Sequence, residues 1–352
     1  IEKRKISGAE THSAGDFSFS AAHFRPRGNN HENHQIAAGK FVQFFCRKPH
    51  TNTEIYVNLF IRNFLLLRVC RGFRRIGSVV FSSLSFLFCF FPAFLLVYYL
   101  TPSRPAGARN AVLLVGSCVF YIIGLDGQWA YFALLAASVL VNYGLGLAIT
   151  RDKPRAKLWL IVGLCYNFLW LFLFKYLNFL LTGVNGVLGW VSGGKAAVPL
   201  LGWALPVGIS FYTFSAGGYL IDVYRGTVAP ERSLLTFGTY LTMFPKLVSG
   251  PIASYAQLQP EFGTRDVSLR QAVDGLKLFV FGMAFKILLA NQLGGLWSDV
   301  TTIGFESLST PLAWMAAFAY SFQLYFDFWG YSLMAIGIGR MLGFHIPENF
   351  RC

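Results

Sequence analysis

Methionine is absent from the first 242 residues, and the chain opens on isoleucine, so Ile1 does not read as a translation start. Acid is scarce, with 16 Asp and Glu against 30 Lys and Arg. Charged residues make up 13% of the chain, where a soluble domain carries roughly 25%. With 55% hydrophobic residues, that shortage excludes a water-soluble globular domain and predicts a polytopic membrane protein. The six cysteines (Cys46, Cys70, Cys89, Cys118, Cys165, Cys352) are widely spaced, with no C-x-x-C and no Cys/His ligand spacing. A disulfide framework and a cysteine-based metal site are therefore excluded. No phosphate-binding G-x-x-x-x-G-K, no H-E-x-x-H, no G-x-S-x-G and no internal repeat occurs. The net charge of +14 raises nucleic acid as a partner. The basic residues, however, sit at the ends of apolar runs rather than on one face, which fits loop anchoring at a membrane.

What is present centres on Ser321–Phe350, SFQLYFDFWGYSLMAIGIGRMLGFHIPENF. Gln323, Asp327 and Tyr331 recur every four residues and would share one helical stripe. An acid at membrane depth normally faces protein or a wet cavity. Ala335, Gly339 and Gly343 repeat the same spacing and predict a smooth face for a second helix, with the run breaking at Pro347.

In chain order, residues 1–78 hold five of the six histidines and no apolar run of spanning length. His31 and His34 are the close pair, with no ligand set to complete a metal site. The expectation is a leader, disordered or translated from upstream sequence, with the protein proper over residues 79–352. Spans are expected at Phe81–Leu100, Asn110–Gly124, Trp129–Thr150 and Leu158–Leu181, with a Gly-rich loop over Gly183–Lys195. The basic loops around Arg104/Arg109 and 151–157 then lie on the cytoplasmic side. That orientation puts Arg68, Arg71, Arg74 and Arg75 on the wrong face, which also separates the leader from the bundle.

In Pro199–Gly226, Tyr212, Ser215, Tyr219 and Asp222 share a helical face, with Arg225 one turn past Asp222. The plain alternative to a cavity lining is an interfacial cap with an i,i+3 ion pair. Leu234–Ile252 is broken by Pro245, Gly250 and Pro251 around Lys246, which predicts a kinked or re-entrant helix. Ser254–Ser268 reads as a polar cytoplasmic segment, Leu269–Ala290 as partly interfacial, Gln292–Thr310 as a loop, and Pro311–Phe328 as the next span.

Three stretches together resemble a known family: VVFSSLSFLFCFFPAFLLVYYL (79–100), PVGISFYTFSAGGYLIDVYRG with FPKLVSGPI (206–252), and YFDFWGYSLMAIGIGRMLGFHIPENF (325–350). They are similar to bacterial membrane-bound O-acyltransferases of the alginate O-acetyltransferase type. The resemblance implies an all-α polytopic bundle of tilted and broken helices around a central funnel, multi-pass in the bacterial inner membrane. It implies transfer of an acyl group, in the first instance acetyl, from a cytoplasmic thioester (acetyl-CoA or an acylated carrier) to hydroxyls of an extracellular polysaccharide. An extracytoplasmic partner acyltransferase is a further implied partner, with no bound cofactor and no metal. The catalytic histidine of the family follows the Pro347-Glu348-Asn349-Phe350 element, so it is expected beyond Cys352 and this chain alone is expected to be inactive. His345 precedes that element and does not occupy the catalytic position. Trp329 and Leu333 stand where the family more often has a small and an acidic residue. Candidate funnel-lining residues are Tyr212, Asp222, Arg225, Lys246, Gln323, Asp327, Tyr331 and Asn349. D-alanyl transfer to teichoic acids is the near alternative, and a polytopic transporter with broken midplane helices the distant one.

Overall fold

The computed structural model describes residues 81–103, 106–125, 127–192, 198–265, 267–304 and 307–349. The leader over 1–78, with its histidines and arginines, lies outside them. Every regular element among the described residues is a helix. A bilayer offers the backbone no water, so a segment crossing it must bond to itself, and a helix does so.

A π-helical turn, Phe86–Phe90, leads into α1, Phe91–Leu100. Then come α2, Ala106–Gly124, α3, Trp129–Arg151, and α4, Ala156–Lys175. Three stretches are long and apolar enough to cross a membrane: Gly107–Gly124, Trp129–Arg151 and Lys153–Lys175. The first expected span is a shorter apolar helix, Phe86–Leu100.

α3 buries Leu135, Ser138, Val139, Asn142, Leu145, Gly146 and Ile149, one stripe at a spacing of three and four. α4 buries only Gly163, Asn167 and Leu171, and leaves Leu158, Ile161, Val162, Phe168, Leu169 and Phe172 exposed. In water that outer face would cost about 25 cal/mol for each Å² of apolar surface. Lipid removes the cost.

Within the α3–α4 seam, Asn142 and Asn167 donate to each other's side-chain oxygens at 3.1 and 2.6 Å. Each also donates to its own helix one turn back, at Ser138 and Gly163. Asn167→Leu strands the Asn142 amide in an apolar seam. We expect a loss of about 1–2 kcal/mol, read as a lower unfolding midpoint in detergent. The Asn142→Leu/Asn167→Leu double variant is expected to recover part of it, because no polar group is then left unpaired.

Two expected loops are helical instead. α5, Leu177–Ser192, runs through the glycine-rich segment expected to be a loop over Gly183–Lys195. Each glycine costs a helix about 1 kcal/mol relative to alanine, but apolar surroundings leave the backbone no competing partner. A later helix, α11, Asn291–Ile303, occupies most of the expected loop over Gln292–Thr310. Tertiary contacts decide it: Gly294 lies against Gln323, and Trp297 sits 4.7 Å from the Tyr320 ring.

Between them lie α6, Ile209–Arg225, α7, Leu234–Thr242, the single turn α8, Phe244–Leu247, α9, Tyr255–Gly263, and α10, Leu269–Ala284. A second π-helical segment, Phe285–Ala290, joins α10 to α11, and α12 is Thr310–Met341. α12 is 32 residues, about 48 Å long. It merges the expected span at 311–328 with the stripe that follows.

α12 stops at Met341, before the expected break at Pro347. Gly343 has φ +83°, and the Phe344 N–H donates to the Gly339 carbonyl at 2.8 Å. Gly343 is thus a turn residue, and Gly339 packs on Ile346, so neither of these two glycines receives a second helix. The close helix contact uses Gly330 and Gly337 of α12, against Gly282 and Gly275 of α10.

Candidate functional site

The expected helix break is present. α7 ends at Thr242, Met243 turns extended at ψ 112°, and Pro245 sits in the first turn of α8. The break frees the Phe244 N–H, which donates to the Ser117 hydroxyl of α2 at 3.1 Å. Gly208, at φ +73°, lies so close that a Cβ there would be 2.3 Å from the Leu247 carbonyl oxygen. No other residue type satisfies both demands. The entry to α6 is therefore pinned to the break. α8 touches α2, α6 and α12 and so sits where the three elements meet.

Three sequence candidates gather around this junction. Lys246, on α8, is 3% exposed. Its Nζ lies 3.5 Å from the centroid of the Tyr240 ring and meets no hydrogen-bond acceptor of the protein. Tyr240 is itself held, its hydroxyl donating to the Ala253 carbonyl at 3.1 Å. Tyr212, one turn beyond Gly208, is buried, and its hydroxyl has no protein partner. Tyr331, on α12, stacks on Phe81 with centroids 4.5 Å apart, and its hydroxyl is likewise unpartnered. Phe81 in turn stands 6.3 Å from Phe244 of the broken turn. Unpaired polar atoms in a protein interior are few, and each calls for an explanation.

The other candidates lie elsewhere. Asp327 forms an ion pair with Lys286, on the second π-helical segment. π-Helical turns of this kind often occur at functional positions. Gln323, one turn before Asp327, packs on Gly294, and its side-chain oxygen is unpartnered. Beside these two, Leu288, Leu289, Gln292, Leu293, Phe322 and Phe326 line an open groove of about 390 Å³. Asp222 and Arg225 form no ion pair with each other, and Arg225 is exposed at the end of α6. Asn349 is exposed.

Two pairings were not foreseen. The partner of Asp327 is 41 residues away, and no local spacing points to it. His345 places Nδ1 2.6 Å from the Glu261 carboxylate, which also accepts from the His345 backbone N–H. A cavity of about 150 Å³ next to it is lined by Gln271, Asp274, Arg340, Gly343, Phe344 and His345. Behind Gly343, Arg265 donates to the Asn110 side chain at 2.6 Å and lies 4.3 Å over the Phe344 ring. Burial holds the Arg265 guanidinium below its ordinary value. The Tyr255 hydroxyl, buried and donating to Glu231, is pushed up by that burial and by the carboxylate.

No protein-family model matches the chain. A probable alginate O-acetylase of Pseudomonas putida is 39% identical over 279 residues, covering 78% of this chain and 55% of that protein. A peptidoglycan O-acetyltransferase of Helicobacter pylori is 32% identical over 315 residues, covering 78% of this chain and 56% of that protein. A teichoic acid D-alanyltransferase of Streptococcus thermophilus is 30% identical over 153 residues, covering 41% of this chain and 36% of its own. The chain spans about half the length of the first two relatives.

Proposed function

Because the chain belongs to the membrane-bound O-acyltransferase family, we propose that its residues 79–352 form the first part of an enzyme that acylates polysaccharide hydroxyls across the bacterial inner membrane. The donor is a cytoplasmic thioester, acetyl-CoA or an acylated carrier, and the group moved is acetyl. In the transfer, the hydroxyl oxygen forms a bond to the acyl carbon while the carbon–sulfur bond breaks. The hydroxyl proton passes through a base to the departing thiolate. Such chemistry needs a dry, sheltered path, because water competes with the hydroxyl for the acyl group.

The single observation that carries this reading is the likeness to O-acetyl-transferring proteins over 78% of the chain. The backbone break at Lys246 and the buried Tyr212 and Tyr331 lie inside the motifs that carry the resemblance, and they support a polar path. In this reading the described helices supply the conduit, and the base is a histidine in the part of the relatives that this chain does not span. His345, tied to Glu261 at an exposed edge, is not that base. D-alanyl transfer is the weaker reading, since those relatives match only 41% of the chain.

A chimera tests the proposal. Residues 79–349 would be joined to the remaining half of the Pseudomonas putida relative and expressed in a strain lacking its own alginate O-acetylase. The chimera is expected to restore ester-linked acetyl to the secreted polymer, measured by hydroxylamine assay. The 352-residue chain alone is expected to restore none. A chimera that inserts, folds and leaves the polymer unacetylated would count against an acyltransferase.

A further inference from the structure

We propose that Lys246 is the binding cation for an anionic group, carboxylate or phosphate, carried by a substrate that enters at the helix break. The inference rests on the transfer reading above only for the identity of that substrate, not for the binding itself.

The Lys246 side chain is costly where it stands. Lys246 is 3% exposed and lies on a turn flanked by α2, α6 and α12. None of the ion pairs among the described residues includes it, and its Nζ has no protein hydrogen-bond acceptor. Among the described residues, its Nζ meets the face of the Tyr240 ring and no hydrogen-bond acceptor. A ring face attracts a cation, but it satisfies none of the three N–H donors of an ammonium. Buried cations are ordinarily paired, because an unpaired one is among the most costly groups to keep inside a protein.

The local backbone fixes where the Lys246 side chain leaves the turn. Pro245 precedes it, Gly208 is pressed onto the Leu247 carbonyl, and a Cβ on Gly250 would lie 2.5 Å from the Lys246 Cα. The hydroxyl of Tyr240 is committed to Ala253, so the ring is also fixed. A buried, donor-rich amine with no counter-ion is half of an anion site, and an arriving anion would favour its charged form. Val248 and Ser249, the two residues after this turn, are partly exposed, so the loop beside Lys246 reaches the surface.

One chemistry, an oxyanion, has two sources in a transferase of this kind. An acidic acceptor sugar would bring a carboxylate, and a coenzyme-type thioester would bring phosphate. The test uses the full 352-residue chain in lipid nanodiscs and two probes, a hexamer of mannuronate and adenosine 3′,5′-bisphosphate. Saturable binding of one probe is expected, with Lys246→Arg within about threefold of wild type and Lys246→Met weakened about tenfold or more. Binding of the hexamer assigns the acceptor, and binding of the nucleotide assigns the donor. If Lys246→Met does not fold, Lys246→Gln against Lys246→Arg gives the same contrast. Equal affinity of the arginine and uncharged variants overturns the proposal, as does absence of saturable binding of both probes to the wild type. Binding is read without turnover. A chimera that fails to acetylate while the probes still bind Lys246 would sink the transfer reading and leave this one standing.

Discussion

Exchanging Gly282 for leucine is expected to leave little folded protein to purify. A Cβ at that position would lie 2.4 Å from the Gly330 carbonyl oxygen and 2.7 Å from the Met334 nitrogen. The reciprocal contacts are as tight, 2.6 Å from a Cβ on Gly330 to the Gly282 oxygen and 2.5 Å between Gly275 and Gly337 in either direction. All of these obstructions include backbone, so no rotamer change relieves them; α10 and α12 must separate. The pairs run 275 with 337 and 282 with 330, so the helices are antiparallel and meet at two points two turns apart. Prying them apart would also move Lys286 away from Asp327, since the next π-helical turn begins at Phe285. We expect a loss above about 3 kcal/mol, beyond ordinary overpacking. Gly295→Ala, on α11 with open space around it, is the control and should behave as wild type. Size-exclusion profile and thermal midpoint in detergent decide the matter. A Gly282→Leu chain that is monodisperse and melts within a few degrees of wild type would show that the crossing is looser than described.

Asp327→Leu is expected to be the most damaging change of a charged residue in the bundle. The Lys286 side chain is 16% exposed and that of Asp327 is 51% exposed. Removing the acid therefore strands the more buried member of the pair, and removing the lysine strands the less buried one. An unpaired buried charge costs roughly 3–5 kcal/mol. We expect Asp327→Leu near the lower end of that range and Lys286→Met at about 2 kcal/mol, because half-exposure of the carboxylate discounts it. The double variant should be more stable than Asp327→Leu alone, since no charge remains without a partner. A double-mutant cycle on unfolding midpoints gives the coupling directly. Additive single effects would mean that the two side chains act independently and that the ion pair contributes nothing.

In these two regions some features are local to the sequence and others are not. Gln323, Asp327 and Tyr331 were expected on one stripe, and they do lie on one continuous helix. Their partners were invisible, because Lys286 reaches Asp327 and Phe81 reaches Tyr331 across long separations in the chain. The helix break at Lys246 was legible because proline and glycine act locally on the backbone. That the freed Phe244 N–H would find Ser117 was not, since nothing near residue 244 names its acceptor. The small-residue row of Ala335, Gly339 and Gly343 misled for a related reason. Spacing shows which residues share a face, but not which face another helix approaches.

Composition and local pattern alone determined that this is a helical membrane protein, where its apolar helices run, where one of them breaks, and which family its motifs resemble. Those features depend on neighbours within a few residues: hydrophobic runs, proline, and the cost of an unbonded backbone in lipid. Tertiary structure alone decided that 183–192 and 291–303 are helical, that Gly275, Gly282, Gly330 and Gly337 form the crossing, and that Asp327 is paired while Lys246 is not. Those outcomes depend on groups brought together from distant parts of the chain, and their energies arise only once the helices have packed.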